Sequence, residues 1–318
     1  MTLDEELTPS AANASMHREP RRGRLKRLAD VTLGWMAQQG ARSYVAGPEI
    51  GDALNLCTAR ENTSRRFIVC PWDRPGDRAA DVQATYRGAL TALRRTPELD
   101  CYLSIKFPSL GYDPARAEAI VALGDSFGVR VHFDALGPES VDRTLALIEQ
   151  LRSRYRNIGA TISARWQRST RDIELLLDLG TPIRLVKGQL PDRTGGDVDP
   201  RAGFLRLVKS ACRATAPIGI ATHDQPLAEH ALLQLQSASV TCELEQLFRL
   251  PPVPFLTQFN VPVRLYIPYG HGYPPYDVYV AIKHPRKGLR LLTDLIRGCV
   301  IAHREQIRPK NRLQISAS

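Results

Sequence analysis

The chain reads as an α/β protein, a (β/α)8 TIM-like barrel with a helical N-terminal lead-in. Three observations predict this. Eight short, nearly continuous apolar runs recur along the sequence, the pattern of strands covered on both faces. Segments of helical spacing fill the intervals, so one strand and one helix recur every ~25 to 35 residues, as in closed parallel barrels. No strand–GxGxxG–helix fingerprint is present, which counts against the competing doubly wound sheet with a dinucleotide site.

Each element follows in chain order. Residues 1–28 are polar and basic and are expected to be a disordered segment. The barrel domain is expected over 29–303, beginning with the helical lead-in over 29–60, and 304–318 is expected to be a basic flexible tail. The strands are expected at "RFIVC" near 66, "CYLSIKF" at 101, "VRVHF" at 129 and "IGATIS" at 158. They continue with "PIRLVK" at 182, "PIGIAT" at 217, "ASVTCEL" at 238 and "VPVRLYI" at 261, the last read as ending at Tyr266. Between them, "ESVDRTLALIEQLRSRYR" places Val141, Leu145, Ile148 and Leu151 on one helical face. In "RDIELLLDLG", Gly180 stands where a helix C-terminus favours glycine.

Composition narrows the function classes. The chain has 318 residues, is 43% hydrophobic and carries a formal charge of +10, a balance that allows a sizeable soluble core. No run approaches the roughly 18 apolar residues needed to span a bilayer. The start, "MTLDEELTPSAANASMHREP", lacks the apolar centre of a secretory signal, so a cytoplasmic location and no transmembrane segment are expected. The cysteines Cys57, Cys70, Cys101, Cys212, Cys242 and Cys299 form no CxxC pair and signal no metal site. The excess positive charge clusters at 17–27 and 303–314 without interleaved aromatics, so nucleic-acid binding is not expected.

Chemistry in such barrels gathers where the strands end at the carboxyl face. The polar residues at or just past the expected strand ends are Asp73, Lys106, Asp134, Ser163 with Arg165, Arg184 with Lys187, Thr222 with His223, Glu243 and Tyr266. This ring is rich in cations and should suit an anionic or electron-rich ligand. Each member has a plainer reading beside the functional one. Lys106 could neutralise Asp134 across the mouth, His223 could be a satisfied core histidine, and the tyrosines could be rim packing.

The same strand ends carry "LSIKF", "VHFDA", "RLVKG" at 184–188, "ATHD" at 221–224, "ELEQLF" and "YIPYGHGYPPY". In order and spacing they resemble the proline dehydrogenase family, whose motifs read RLVKGAYWD, ATHN, EFQxLxG and Y-x-P-x-G…Y. The family is a flavin-dependent barrel that oxidises proline, so the resemblance implies an FAD oxidoreductase of proline metabolism. It implies catalytic roles for Arg184, Lys106 and Asp134, with Arg184 beside the flavin ring and Lys106 at a substrate carboxylate. Lys106, Asp134, Leu247, Tyr266, Tyr276 and Tyr279 would line the substrate. Ser163, Arg184, Lys187, Gly188, Gln189, Thr222 and His223 would contact the FAD.

The departures from the family cluster at one place. Its final helix carries an Arg-Arg pair that clamps the substrate carboxylate, and here "YPPYDVYVAIKHP" puts Tyr279 and Val280 there, with Lys283 in place of a Glu. Gly188-Gln189-Leu190-Pro191 replaces Gly-Ala-Tyr-Trp, Ser163 replaces a glutamine, and Asp224 replaces the asparagine of ATHN. Loss of a bidentate clamp removes strong charge-assisted bonds, though Arg165 could approach a carboxylate from another side. The expected substrate is therefore a small amine or imino acid other than free proline, with a quinone or oxygen as electron acceptor. Two alternatives stay open at this point. One is a flavin-free barrel acting as lyase, hydrolase or binding protein through Lys106, Asp134 and Glu243. The other is a regulator acting through the basic ends.

Overall fold

A computed structural model describes residues 45–59, 66–74, 76–250 and 259–271. The segments 1–28 and 304–318, most of the expected lead-in, and Tyr276, Tyr279, Val280 and Lys283 lie outside them. The described elements are α1 (Ile50–Ala59), β1 (Arg66–Trp72), α2 (Ala79–Arg94), β2 (Asp100–Ile105), α3 (Pro114–Ser126), β3 (Val131–Phe133), α4 (Val141–Arg152) and β4 (Ile158–Ser163). They continue as α5 (Ser169–Asp178), β5 (Ile183–Val186), α6 (Pro200–Ala211), β6 (Ile218–Ala221), α7 (Gln225–Ser237), β7 (Cys242–Leu247) and β8 (Val263–Gly270). All eight strands pair in parallel and in sequence order, and β8 closes on β1 from Arg66↔Arg264 to Trp72↔Gly270. The (β/α)8 expectation holds.

Local chemistry explains the boundaries. Asp113, Asp199 and Asp224 each cap a helix by accepting main-chain N–H groups, with a proline in the first turn. Gly180 follows α5 at φ +58°, a conformation that favours glycine. Val141, Leu145, Ile148 and Leu151 are all buried on one face of α4. Phe67, Val69, Leu103, Val131, Ile183 and Leu244 point outward from the cylinder into one continuous core with the helices. Burying each such side chain contributes about 1.5–3 kcal/mol before entropy is counted.

The inside of the cylinder is polar. Branched apolar side chains usually fill this space; here Tyr102, Ser104, His132, Arg184, Glu243, Glu245 and Arg264 are all buried. Two glycines make room for them. A Cβ on Gly159 would lie 2.3 Å from His132 Nδ1, and one on Gly219 would lie 2.4 Å from Glu245 Oε1.

Three expected strand ends are corrected by this register: Arg184 is the second residue of β5, and Glu243 and Tyr266 are displaced as well. The seventh strand begins at Cys242, so Glu243 sits at its amino end rather than at the mouth. There it accepts from Arg264 Nε at 2.7 Å and Arg66 Nη1 at 3.2 Å, beside Asp100 at the start of β2. The eighth strand runs on to Gly270, which places Tyr266 in mid-strand. In each case an inward polar residue looked like the end of an apolar run.

Candidate active site

The carboxyl half of the barrel interior is organised around Arg184. Its Nε donates to Glu245 Oε2 at 2.6 Å, its Nη1 to Asp134 Oδ1 at 2.5 Å, and its Nη2 to the Tyr102 hydroxyl at 3.1 Å. Tyr102 in turn donates to Glu245 Oε1 at 2.8 Å. Asp134, just past β3, also accepts from Ser104 Oγ at 2.7 Å and from the Tyr266 hydroxyl at 3.0 Å. The Cys70 thiol lies 3.5 Å from its other oxygen. The guanidinium stands 5.1 Å from the Tyr266 ring centroid, within cation–π range.

Burial would depress the Arg184 guanidinium, but Tyr102, Glu245, Asp134 and Tyr266 outweigh it and keep the charge on. Burial raises the phenols of Tyr102 and Tyr266 and pushes the Cys70 thiol up to about 12, so all three stay neutral donors. His132 stacks on Tyr102 at 5.4 Å and is held well below the usual histidine range by burial and by Arg184, Arg130 and Arg264. It is a neutral spacer.

Lys106 follows β2 and is committed elsewhere. Its Nζ donates to Pro71 O at 2.8 Å and Asp73 Oδ1 at 3.2 Å, and Asp73 also accepts from Ser109. The ion pair with Asp134 entertained from the sequence is therefore replaced by one with Asp73, while Asp134 belongs to Arg184. Arg165 is likewise fixed: it donates to Asp197 at 2.7 Å and to Gln189 O at 3.3 Å, holding the long β5–α6 loop against the loop after β4. It is not a free substitute clamp.

The count of rim charges changes the electrostatic reading. Lys106 and Arg184 face three carboxylates, Asp73, Asp134 and Glu245, each at hydrogen-bond or ion-pair distance. The cations read from the sequence are thus paired in the structure: the Lys106–Arg184 part of the mouth is net negative by one charge, while Lys187 and Arg201 exceed Asp224 by one on the other side. Residue type was legible; pairing was not.

A second group lies at the ends of β4, β5 and β6. Gly188 has φ +86°, and a Cβ there would lie 2.0 Å from Ser163 Oγ, so only glycine fits against that hydroxyl. Ser163 Oγ is buried without a protein partner. Lys187 and Arg201 converge on Asp224 at 3.6 and 2.5 Å. Thr222 is buried and accepts from the Asp224 amide, and His223 Nε2 accepts from the Leu247 amide at 2.9 Å. That bond makes Nε2 the unprotonated nitrogen. Gln189 is more exposed, its carbonyl held by Arg165.

The structure thus brings Arg184, Asp134 and Tyr266 into direct contact, with Lys106 adjacent through the end of β1, and gathers Ser163, Lys187, Gly188, Thr222 and His223 beside them. Leu247 ends β7 next to His223. Tyr276 and Tyr279 lie outside the described residues. Sequence reasoning missed Glu245, Tyr102, Ser104 and Cys70; the glycines that open "IGATIS" and "PIGIAT" were a usable sign of bulky polar neighbours inside the barrel.

Among the described residues no cluster suited to a metal ion occurs and no helix is long and apolar enough to cross a membrane. No family model matches the chain. It is 25% identical over 290 residues to a proline dehydrogenase of Deinococcus radiodurans, covering 81% of this chain and 90% of that protein. It is 22% identical over 195 residues to proline dehydrogenase 2 of Bacillus subtilis, covering 55% of this chain and 63% of the relative. In fold it is similar to proline utilization A (PutA) from Bdellovibrio bacteriovorus, solved after inactivation by N-propargylglycine. The TM-score is 0.63 at 18% identity, over 78% of this chain and 32% of that one. A second PutA structure, with proline bound in remote sites, gives a TM-score of 0.56 at 18% identity over 71% of this chain and 29% of the other. The chain therefore spans about a third of the solved proteins that it resembles.

Proposed function

We propose that this chain, a proline dehydrogenase-like (β/α)8 barrel, is an FAD-dependent oxidoreductase that oxidises the C–N bond of a small amine or proline-like compound, with free proline a poor substrate. The observation that carries the reading is the direct contact of Arg184, Asp134 and Tyr266 from three separated strands, on a barrel similar in sequence and fold to proline dehydrogenases.

The residues at the ends of β4 to β6 suit an anionic, hydrogen-bonding cofactor. The unpartnered Ser163 hydroxyl, the glycine-only approach at Gly188 and the cations Lys187 and Arg201 are the features that support FAD there. Ser163, Lys187, Gly188, Gln189, Thr222 and His223 would hold it. When bound, FAD accepts the hydride from the carbon next to nitrogen. Arg184 and Asp134 fix the floor beneath the substrate, Tyr266 offers a flat wall to a small ring, and Leu247 closes the side toward β6. Lys106, neutralised by Asp73, anchors the rim. Tyr276 and Tyr279 would complete the wall. Electrons would then pass to a quinone or to oxygen.

The poor fit to free proline rests on charge. A substrate carboxylate would enter beside two cations, Arg184 and Lys106, that already face three carboxylates, and the family's Arg-Arg clamp is absent from the sequence. A protonated amine lacking that carboxylate meets a favourable field instead. The test is the visible absorbance of the purified full chain. A flavin spectrum is expected, with steady-state oxidation of carboxylate-free cyclic amines exceeding that of L-proline. A colourless protein that takes up no added FAD overturns the redox reading, and efficient proline oxidation overturns the substrate assignment.

A further inference from the structure

We infer that Glu245, a buried carboxylate in the middle of the barrel, sets substrate selectivity by leaving the Arg184–Asp134–Glu245 group one negative charge in excess, so that the site rejects a carboxylate and accepts a cationic amine. The inference deepens the functional reading above and rests on it.

The geometry is specific to this residue. Glu245 lies on β7, 4% exposed, and both of its oxygens are occupied: Oε1 accepts from Tyr102 and Oε2 from Arg184. Both oxygens act as acceptors in these contacts. Arg184 alone would balance Asp134, which already takes hydroxyl donors from Ser104 and Tyr266. Glu245 is the additional charge. In the motif resemblance given above, "ELEQLF" sets Glu245 against the glutamine of EFQxLxG. A glutamine could accept from Arg184 through its carbonyl oxygen and donate its amide to the Tyr102 hydroxyl, yet carry no charge. The barrel also keeps a space for this side chain, since Gly219 is the only residue size that clears its Oε1.

Glu245 acts on the substrate through Arg184 and through the field, so it is a positioning and selectivity residue. In a buried site, one unit charge several ångströms from the ligand changes affinity about tenfold or more. The size and shape of the pocket are left nearly unchanged by Glu245→Gln, which separates charge from fit.

The experiment compares L-proline with L-prolinamide and pyrrolidine on the whole 318-residue chain, by calorimetric binding and by KM and kcat. The wild type is expected to bind prolinamide and pyrrolidine about tenfold tighter than proline. In Glu245→Gln the ratio should fall toward one, mainly through tighter proline binding, while Tyr102→Phe, which removes a hydrogen bond but no charge, should keep proline the weaker ligand. Equal or tighter proline binding by the wild type overturns the inference even if the variant does not fold. An unchanged ratio in a folded Glu245→Gln protein overturns it as well. Flavin content is read separately from its spectrum, so loss of the cofactor reading and loss of this inference are distinguishable.

Discussion

Removing the Arg184 guanidinium should be among the most damaging single changes in the barrel, and its size can be worked from the contacts. In Arg184→Met the aliphatic stem is kept and the charge is lost. Asp134 and Glu245 are then left in the interior without their shared cation, at positions where the side chains are 11% and 4% exposed. Breaking a buried ion pair from one side costs about 3–5 kcal/mol, because the orphaned charge cannot be rehydrated. The two carboxylates do not suffer equally. Asp134 retains Ser104 and Tyr266 as donors, whereas Glu245 retains only Tyr102. Most of the loss should therefore come from Glu245, and Arg184→Met with Glu245→Gln should recover at least ~1–2 kcal/mol of it. Arg184→Lys keeps the charge but cannot span both carboxylates, and should fall between wild type and Arg184→Met.

Equilibrium urea unfolding of the four proteins, followed by far-ultraviolet circular dichroism, measures these differences through the midpoint at constant slope. Two results would refute the reasoning. One is Arg184→Met within about 1 kcal/mol of wild type, which would mean that the interior is well hydrated. The other is a double variant no more stable than Arg184→Met, which would mean that Glu245 is not the group left stranded.

Three further outcomes follow from the same contacts. Gly219→Ala should destabilise by about 1–3 kcal/mol, because a Cβ 2.4 Å from Glu245 Oε1 displaces a side chain that Arg184 and Tyr102 hold; Gly159→Ala should act similarly through His132, and thermal unfolding measures both. Stability should fall in acid: Arg168 holds Asp142 below the ordinary carboxylate range, and at Asp224 burial pushes upward but Arg201, the Leu227 amide and Lys187 outweigh it. Because these folded-state values are depressed, their contribution is complete above the unfolded value near ~4 and disappears as pH falls through the folded one; denaturant midpoints against pH should show the drop, and Arg201→Met should reduce it. The Cys70 thiol, pushed up to about 12 by burial, should resist alkylation at neutral pH in the folded protein and react after unfolding, as read by mass spectrometry.

What the sequence made legible divides along the two faces of each strand. Outward faces obey a hydrophobic rule: Phe67, Leu103, Val131 and Ile183 pack on the helices, so the eight runs, their order and the closed architecture could all be read. Inward faces obey no such rule here, because the cylinder is filled by paired charges. An inward polar residue can imitate the end of an apolar run, which is why Glu243 was expected at the mouth and lies at the opposite end, and why Arg184 and Tyr266 were expected at strand ends and lie within their strands. Asp134, Ser163 and Thr222, which do sit at or just beyond strand ends, were found because there the run and the strand stop nearly together, and Lys106 was found although its apolar run continues past the end of β2.

The same distinction governs the chemistry. A one-dimensional reading counts cations, but a site responds to the charge left after pairing, and pairing is a property of register. Lys106 with Asp73, Arg165 with Asp197, Lys187 with Asp224 and Arg184 with two carboxylates are all contacts between residues far apart along the chain. Each converts a candidate anion receptor into part of the scaffold. One glutamate on an inner strand face, admitted by one glycine on its neighbour, leaves the Arg184 guanidinium shared between two carboxylates, a balance that a count of basic residues along the chain does not show.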